Sequence, residues 1–164
     1  MRRLTYQRDH DRAAPARRDR DSGRHMDIRK ITDELSVAPQ IHAEDVPAIA
    51  AAGFRAVICN RPDGESSDQP CCDDIAEAVM VQGLAWRTQP VRSGSITQAD
   101  VEAFGALLAE LPKPILAYCR SGTRCAMLWC LSEAGTRPLP DILQRAQAAG
   151  YDMSAVMQRA VGPD

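Results

Sequence analysis

The stretch PILAYCRSGTR, Pro114–Arg124, decides how the rest of the chain is read. Ile115–Tyr118 is a short apolar run set off by the breakers Pro112 and Pro114, the signature of a strand buried on both faces. Cys119 follows at once, then Arg120, Ser121, Gly122 and Thr123, then Arg124, in a segment that reads as a helix over Thr123–Glu133. A cysteine placed between a strand and a helix faces unpaired backbone N–H groups and the positive end of the helix dipole, and both favour thiolate over thiol. Gly122 lets the backbone turn tightly. The same inward N–H groups cradle an anion, and Arg124 can clamp its oxygens with two parallel donors. The stretch therefore predicts Cys119 as a nucleophile and an anionic substrate held by Arg120, Ser121, Gly122, Thr123 and Arg124. A small buried cysteine in an ordinary strand-to-helix turn is the plainer alternative; it leaves the conjunction of strand, cysteine, glycine loop, arginine and helix unexplained.

Outward from this stretch, strand-like and helix-like segments alternate. Ile31–Val37 reads as a first strand and Arg55–Cys59 as a buried one. Between them a helix is expected, with Pro47 in its first turn, Val46, Ile49 and Ala50 on one face and Gly53 at its end. A helix over Cys72–Gln82 carries Ile75 and Val79 and stops at Gly83, before a strand over Leu84–Val91. Thr97, with Asp100 three residues on, opens the clearest helix, in which Val101, Phe104, Leu108 and Leu111 recur at helical spacing. Two short helices, Pro140–Ala149 and Asp152–Ala160, follow on either side of Gly150 and Tyr151. The alternation predicts an α/β fold: a three-layer sandwich around a central, largely parallel sheet of four or five strands, with the cysteine loop between the last strand and a helix. Loops at the carboxyl ends of such strands gather on one edge, where ligands bind.

Length allows one domain with a buried core, expected over residues 26–164. Met1–His25 holds eight Arg and four Asp, a net of +4 in a chain of net −2, which leaves −6 on the remainder. This leader lacks the apolar run of a signal peptide, and its composition predicts a disordered extension. The acidic body offers no basic face interleaved with aromatics, so no nucleic-acid partner is expected, and no apolar run is long enough for a membrane span. Six cysteines without an export signal point to reduced thiols and a cytoplasmic location. Their spacing supplies no C-x2-C pair and no nearby ligating histidine, so neither a metal nor an organic cofactor is expected.

Three stretches, VICNRPDGE (Val57–Glu65), Gln69-Pro70 and LAYCRSGTR (Leu116–Arg124), resemble the cysteine-based phosphatase and rhodanese group. Within it they are similar to the beta-lactamase hydrolase-like family with a phosphatase-like fold, over about Met26 to Gly162. The resemblance implies a dual-specificity-phosphatase-like fold and either phosphate or sulfur chemistry at Cys119. Against the phosphatase pattern, four residues rather than five separate Cys119 from Arg124, as in rhodanese loops. Tyr118 stands where such phosphatases have a histidine, and Val91–Ile96 (VRSGSI) contains no carboxylate where the general acid is usual. Asp63 or Glu65 in NRPDGE is a substitute acid and Arg61 a further anion-binding group, although a Pro-Asp-Gly turn suits those residues equally well.

Sulfur transfer needs no acid, because sulfite and thiolates leave unprotonated. The expectation is a sulfurtransferase that carries a persulfide on Cys119 from a sulfane-sulfur donor to a thiol acceptor. A phosphatase working through a cysteinyl-phosphate on a phosphoester is the alternative, and a non-catalytic thiol sensor the third reading. Cys125 is either a helix-packing residue or a resolving redox partner of Cys119. Cys59 and Cys130 read as core.

Overall fold

The computed structural model describes residues 26–161, so the Arg-rich leader Met1–His25 lies outside the described residues. Five strands, β1 (Arg29–Lys30), β2 (Leu35–Ala38), β3 (Ala56–Cys59), β4 (Ala85–Thr88) and β5 (Ile115–Tyr118), form one sheet in the order β1-β2-β5-β3-β4. β2, β5, β3 and β4 run parallel, and β1 pairs antiparallel at the edge. β5 lies at the centre with a parallel neighbour on each side, which is why its four residues are all apolar and all buried.

Alternation along β5 assigns the two faces. Ile115, Ala117 and Cys119 point into one core with Phe104, Leu128, Trp129, Ile142 and Met157. Leu116 and Tyr118 point into the other with Val46, Ile49, Ile75 and Val79. Helices α1 (Val46–Ala51) and α2 (Cys72–Val81) cover the second face; α3 (Gln98–Glu110), α4 (Thr123–Glu133), α5 (Leu139–Ala148) and α6 (Ser154–Val161) cover the first. This is the three-layer sandwich that the alternation of segments predicts. The capping box that opens α3 forms as expected: Thr97 Oγ1 accepts the Asp100 N–H at 3.2 Å and Asp100 Oδ2 accepts that of Thr97 at 2.9 Å.

Two strands differ from expectation. Ile31–Val37 is not one strand: the chain bends at Ile31–Glu34 because Thr32 Oγ1 accepts the N–H groups of Glu34 and Leu35, each at 3.1 Å. Ile31 is buried without being in a strand, which makes the apolar pattern look continuous. The expected strand Leu84–Val91 is confined to Ala85–Thr88: Gln89 still donates to Cys59 in register, but Val91 donates to Asn60, out of step with the ladder.

Candidate active site

Register aligns the carboxyl ends of the parallel strands. Ala38 and Cys59 both face Tyr118, so the loops that follow them meet the residues after Tyr118. The Cys119 N–H donates to Ala38 O at 3.3 Å, Gln40 N–H to Arg120 O at 3.3 Å and Asn60 N–H to Tyr118 O at 2.9 Å. The segment Cys119–Arg124 is thus pinned on both flanks before its own side chains take part.

Within it, Gly122 has φ of +89°, and a Cβ there would collide with the hydroxyl of Tyr151. That hydroxyl donates to Ser121 O at 3.1 Å and ties the loop to the segment between α5 and α6. Ser121 Oγ donates to Thr123 Oγ1 at 2.9 Å across the mouth of the loop. The Cys119 sulfur lies at the foot of this ring, fully buried, and accepts the Gly122 N–H at 3.1 Å. The adjacent Cys125 thiol is the largest influence on it. Together with the amides of Cys125, Ser121 and Arg124, that thiol outweighs burial and lowers the pKa of Cys119 to about 5.

Cys125 is the opposite case: burial pushes its thiol well above the ordinary value, so it stays a protonated donor beside the Cys119 thiolate. Its one thiol hydrogen has two acceptors, the Cys119 sulfur and Asn60 Oδ1, to which Sγ donates at 3.2 Å, and the Asn60 amide is oriented by donating from Nδ2 to Gln89 O at 3.0 Å. Asn60 is fully buried, so no solvent competes for these bonds.

Arg124 is held from behind. Nη1 and Nη2 donate to the two oxygens of Glu65 at 2.8 Å each, and Nη1 also donates to Val91 O at 2.8 Å. Nε and the second hydrogen of Nη2 have no partner among the described residues, two parallel donors on the other edge of the guanidinium, which is bidentate geometry for an oxyanion. Glu65 accepts in addition from Arg61 Nε at 2.9 Å. Arg124 first, then Arg61, lower its pKa to about 2 against partial desolvation, so at neutral pH Glu65 has no proton to give.

The structure therefore brings together Cys119, Arg120, Ser121, Gly122, Thr123, Arg124, Arg61 and Cys125. Asp63 is placed otherwise: its Oδ1 accepts the Cys72 N–H at 2.9 Å where α2 begins, and among the described residues no hydrogen bond joins it to the loop. Tyr118 faces the sheet side opposite Cys119, against Trp86 at 6.3 Å between ring centroids, so it contributes nothing in the direction of the sulfur. Glu65 as the clamp of Arg124, Asn60 beneath Cys125 and Tyr151 on the loop are contributions that sequence reasoning missed. Only Glu65 had a local signal, its place in NRPDGE. Among the described residues no group of three or more His, Cys, Asp or Glu side chains is placed to hold a metal ion. No helix among them is long and apolar enough to cross a membrane.

A largely parallel sheet carrying a cysteine-to-arginine loop between its central strand and a helix defines the phosphatase-like α/β proteins. The chain belongs to the beta-lactamase hydrolase-like protein, phosphatase-like domain family, whose model matches residues 27–136. It is 35% identical over 132 residues to the beta-lactamase hydrolase-like protein of Agrobacterium fabrum, covering 79% of this chain and 31% of that protein. The Xylella fastidiosa protein of the same name is also 35% identical, with 78% and 30% covered. The chain thus spans about a third of the length of these relatives. A solved structure from Neisseria meningitidis described as a "putative phosphatase" is 38% identical, with a TM-score of 0.76 over 83% of this chain and 97% of that one.

Proposed function

We propose that residues 26–164 form a cysteine-dependent enzyme of the phosphatase class acting on a small phosphorylated substrate. The observation that carries this is the Cys119 sulfur at the foot of a ring of N–H donors, beside the two unused donors of Arg124. Phosphoryl oxygens would sit on those donors with phosphorus above the thiolate. The thiolate electron pair forms an S–P bond, the bond to the leaving oxygen breaks, and that oxygen departs with its electron pair. Water then attacks phosphorus, the S–P bond breaks, and phosphate and a proton leave as the thiolate returns. The family and the Neisseria protein support phosphate chemistry over the sulfur transfer that loop length favours. Asp63 is turned to the start of α2, where its Oδ1 accepts the Cys72 N–H, and no hydrogen bond among the described residues joins it to the loop, so leaving groups that need no proton suit the site best. Thiols kept reduced, as this chemistry requires, suit the cytoplasm.

Sulfur transfer is a second reading, supported by the four-residue spacing from Cys119 to Arg124 and by the lack of a carboxylate in Val91–Ile96. Here the thiolate attacks the outer sulfur of a sulfane donor such as thiosulfate, the S–S bond breaks, and sulfite leaves with the electron pair. A thiol acceptor or cyanide then takes the sulfur from the persulfide. The test is wild type beside Cys119→Ser, assayed for p-nitrophenyl phosphate hydrolysis and for thiosulfate-to-cyanide transfer. Phosphate release lost in the variant supports the hydrolase; sulfur transfer alone, lost in the variant, overturns it.

A further inference from the structure

Beside the Cys119 loop lies an open hollow of about 260 Å³ whose walls include Gln40, His42, Arg61, Ser66, Asp68 and Arg120. A water molecule takes roughly 30 Å³ of liquid, so the hollow has room for a phosphate-sized group with some of its hydration. It is joined to the reaction centre on two sides. Arg120 directly follows Cys119, and its carbonyl accepts the Gln40 N–H. Arg61 shares the Glu65 carboxylate with Arg124.

Arg61 is buried, and its remaining bonds run to Gln40 Oε1 from Nη1 at 3.0 Å and to Ser66 Oγ from Nη2 at 3.4 Å. One N–H on each terminal nitrogen has no partner among the described residues. Arg61 is paired with Glu65 and His42 lies 3.6 Å from Asp45, while Asp68 accepts a hydrogen bond from the Ser66 hydroxyl at 2.7 Å, so the donors left to a ligand are the two free Arg61 N–H groups and the Arg120 guanidinium. The hollow is therefore built for an anion, a second one, because the first belongs over Cys119.

The surroundings of Cys119 restrict what leaves. Val91–Ile96 has no carboxylate, Asp63 Oδ1 is turned to the start of α2, the Ser66 hydroxyl holds Asp68 below the usual carboxylate range, and Glu65 is locked to two guanidinium groups. An alkoxide leaves poorly without a proton, whereas a phosphate already carrying one ester or hydroxyl group leaves as a stable dianion, its second ionisation lying at about pH 6 to 7.

Resting on the hydrolase reading, we infer that the hollow seats a second phosphoryl group and that the substrate class is the phosphoanhydrides. The thiolate attacks the outer phosphorus, an S–P bond forms, and the bridging P–O bond breaks. The bridging oxygen keeps the electron pair and departs as part of the second phosphate, held by Arg61 and Arg120, with no proton supplied. Water cleaves the cysteinyl-phosphate as before.

The experiment measures kcat/KM of the full chain for inorganic pyrophosphate, glycerol phosphate and p-nitrophenyl phosphate, with thiosulfate-to-cyanide transfer in parallel, for wild type, His42→Glu and His42→Gln. Pyrophosphate should exceed glycerol phosphate by about tenfold or more, and the negative charge of His42→Glu should cut the ratio of pyrophosphate to p-nitrophenyl phosphate about tenfold. His42→Gln adds no charge and should leave that ratio within about threefold, which separates charge from folding. Equal turnover of pyrophosphate and glycerol phosphate, or a His42→Glu loss shared in proportion by both phosphates, overturns the inference. The hydrolase reading survives that outcome on Cys119-dependent release of nitrophenol. Sulfur transfer with no phosphate release removes the reading and the inference together.

Discussion

Glu65 grips Arg124 through both terminal nitrogens at 2.8 Å, which leaves Nε and one Nη2 hydrogen of the guanidinium without a partner among the described residues. The carboxylate reaches across from the loop after β3, so the anion-binding edge is set by two parts of the sheet at once. Glu65→Ala leaves the buried Arg124 charge without its partner. Breaking a fully buried pair costs roughly 3–5 kcal/mol; with Glu65 partly exposed, a loss of about 2 kcal/mol is expected in urea unfolding. kcat/KM should also fall about tenfold or more as Arg124 loses its orientation. Unchanged activity in the variant would show that Arg124 needs no support.

Acid should unmake the same pair. The carboxyl is lowered from an ordinary 4.5 to about 2 in the folded chain, so its stabilising effect is complete above pH 4.5 and is lost as pH falls toward 2. The stability difference between wild type and Glu65→Gln should be constant from pH 7 to about 5 and shrink below that. Unfolding midpoints at pH 7, 4 and 3 measure it. A difference that does not change with pH would contradict the assignment.

Thiolate formation at Cys119 gives a second titration. With Cys125 as the largest stabilising influence, thiolate absorbance lost in Cys119→Ser should appear with a midpoint near 5. Cys125→Ala removes that donor, and the midpoint should move up toward the ordinary value of 9.0 by about one unit or more; Cys125→Ser, which keeps a hydroxyl donor, should move it less. If the midpoint is insensitive to position 125, the backbone amides alone hold the thiolate.

The central strand, the cysteine loop and the helix after it were legible because each is a local pattern: four apolar residues, a turn glycine, a run that can continue as a helix. The capping box at Thr97 was legible for the same reason. The bend at Thr32 was hidden because Ile31 stays buried through it. The remaining contacts of the site join distant positions: Arg124 to Glu65 across 59 residues, Cys125 to Asn60 across 65 and Tyr151 to Ser121 across 30. Residue spacing carries no information about such pairs until the sheet order is known. Asp63 shows the converse, since nothing in NRPDGE reveals that its carboxylate meets the start of α2.

Loop closure by Tyr151 is testable through Gly122. Gly122→Ala places a Cβ against the Tyr151 hydroxyl at a backbone angle that side chains avoid. It should cost roughly 1–3 kcal/mol for the strained φ, with activity lost. Adding Tyr151→Phe removes the oxygen that is struck but not the strain in φ, so the double variant should regain part of the lost stability. A double-mutant cycle reads this directly. Strict additivity would mean that the two residues do not meet.

Cys125 is the largest influence on the Cys119 thiol, and we propose that the two sulfurs also form a route for oxidation. Peroxide takes two electrons from the Cys119 thiolate to give a sulfenic acid. The Cys125 sulfur then attacks it, an S–S bond forms, and water leaves with the thiol proton. Wild type inactivated by peroxide should therefore recover on treatment with dithiothreitol, with the intact mass lower by about 2 Da before reduction. Cys125→Ser has no resolving sulfur, so Cys119 should pass on to the sulfinic acid and at least about tenfold less activity should return. The recovery measurement is made beside peptide mapping of the Cys119–Cys125 link, because a disulfide has a specific geometry to satisfy. Equal recovery in wild type and Cys125→Ser, or mapping that finds another partner for Cys119, would leave Cys125 with its role as proton donor alone.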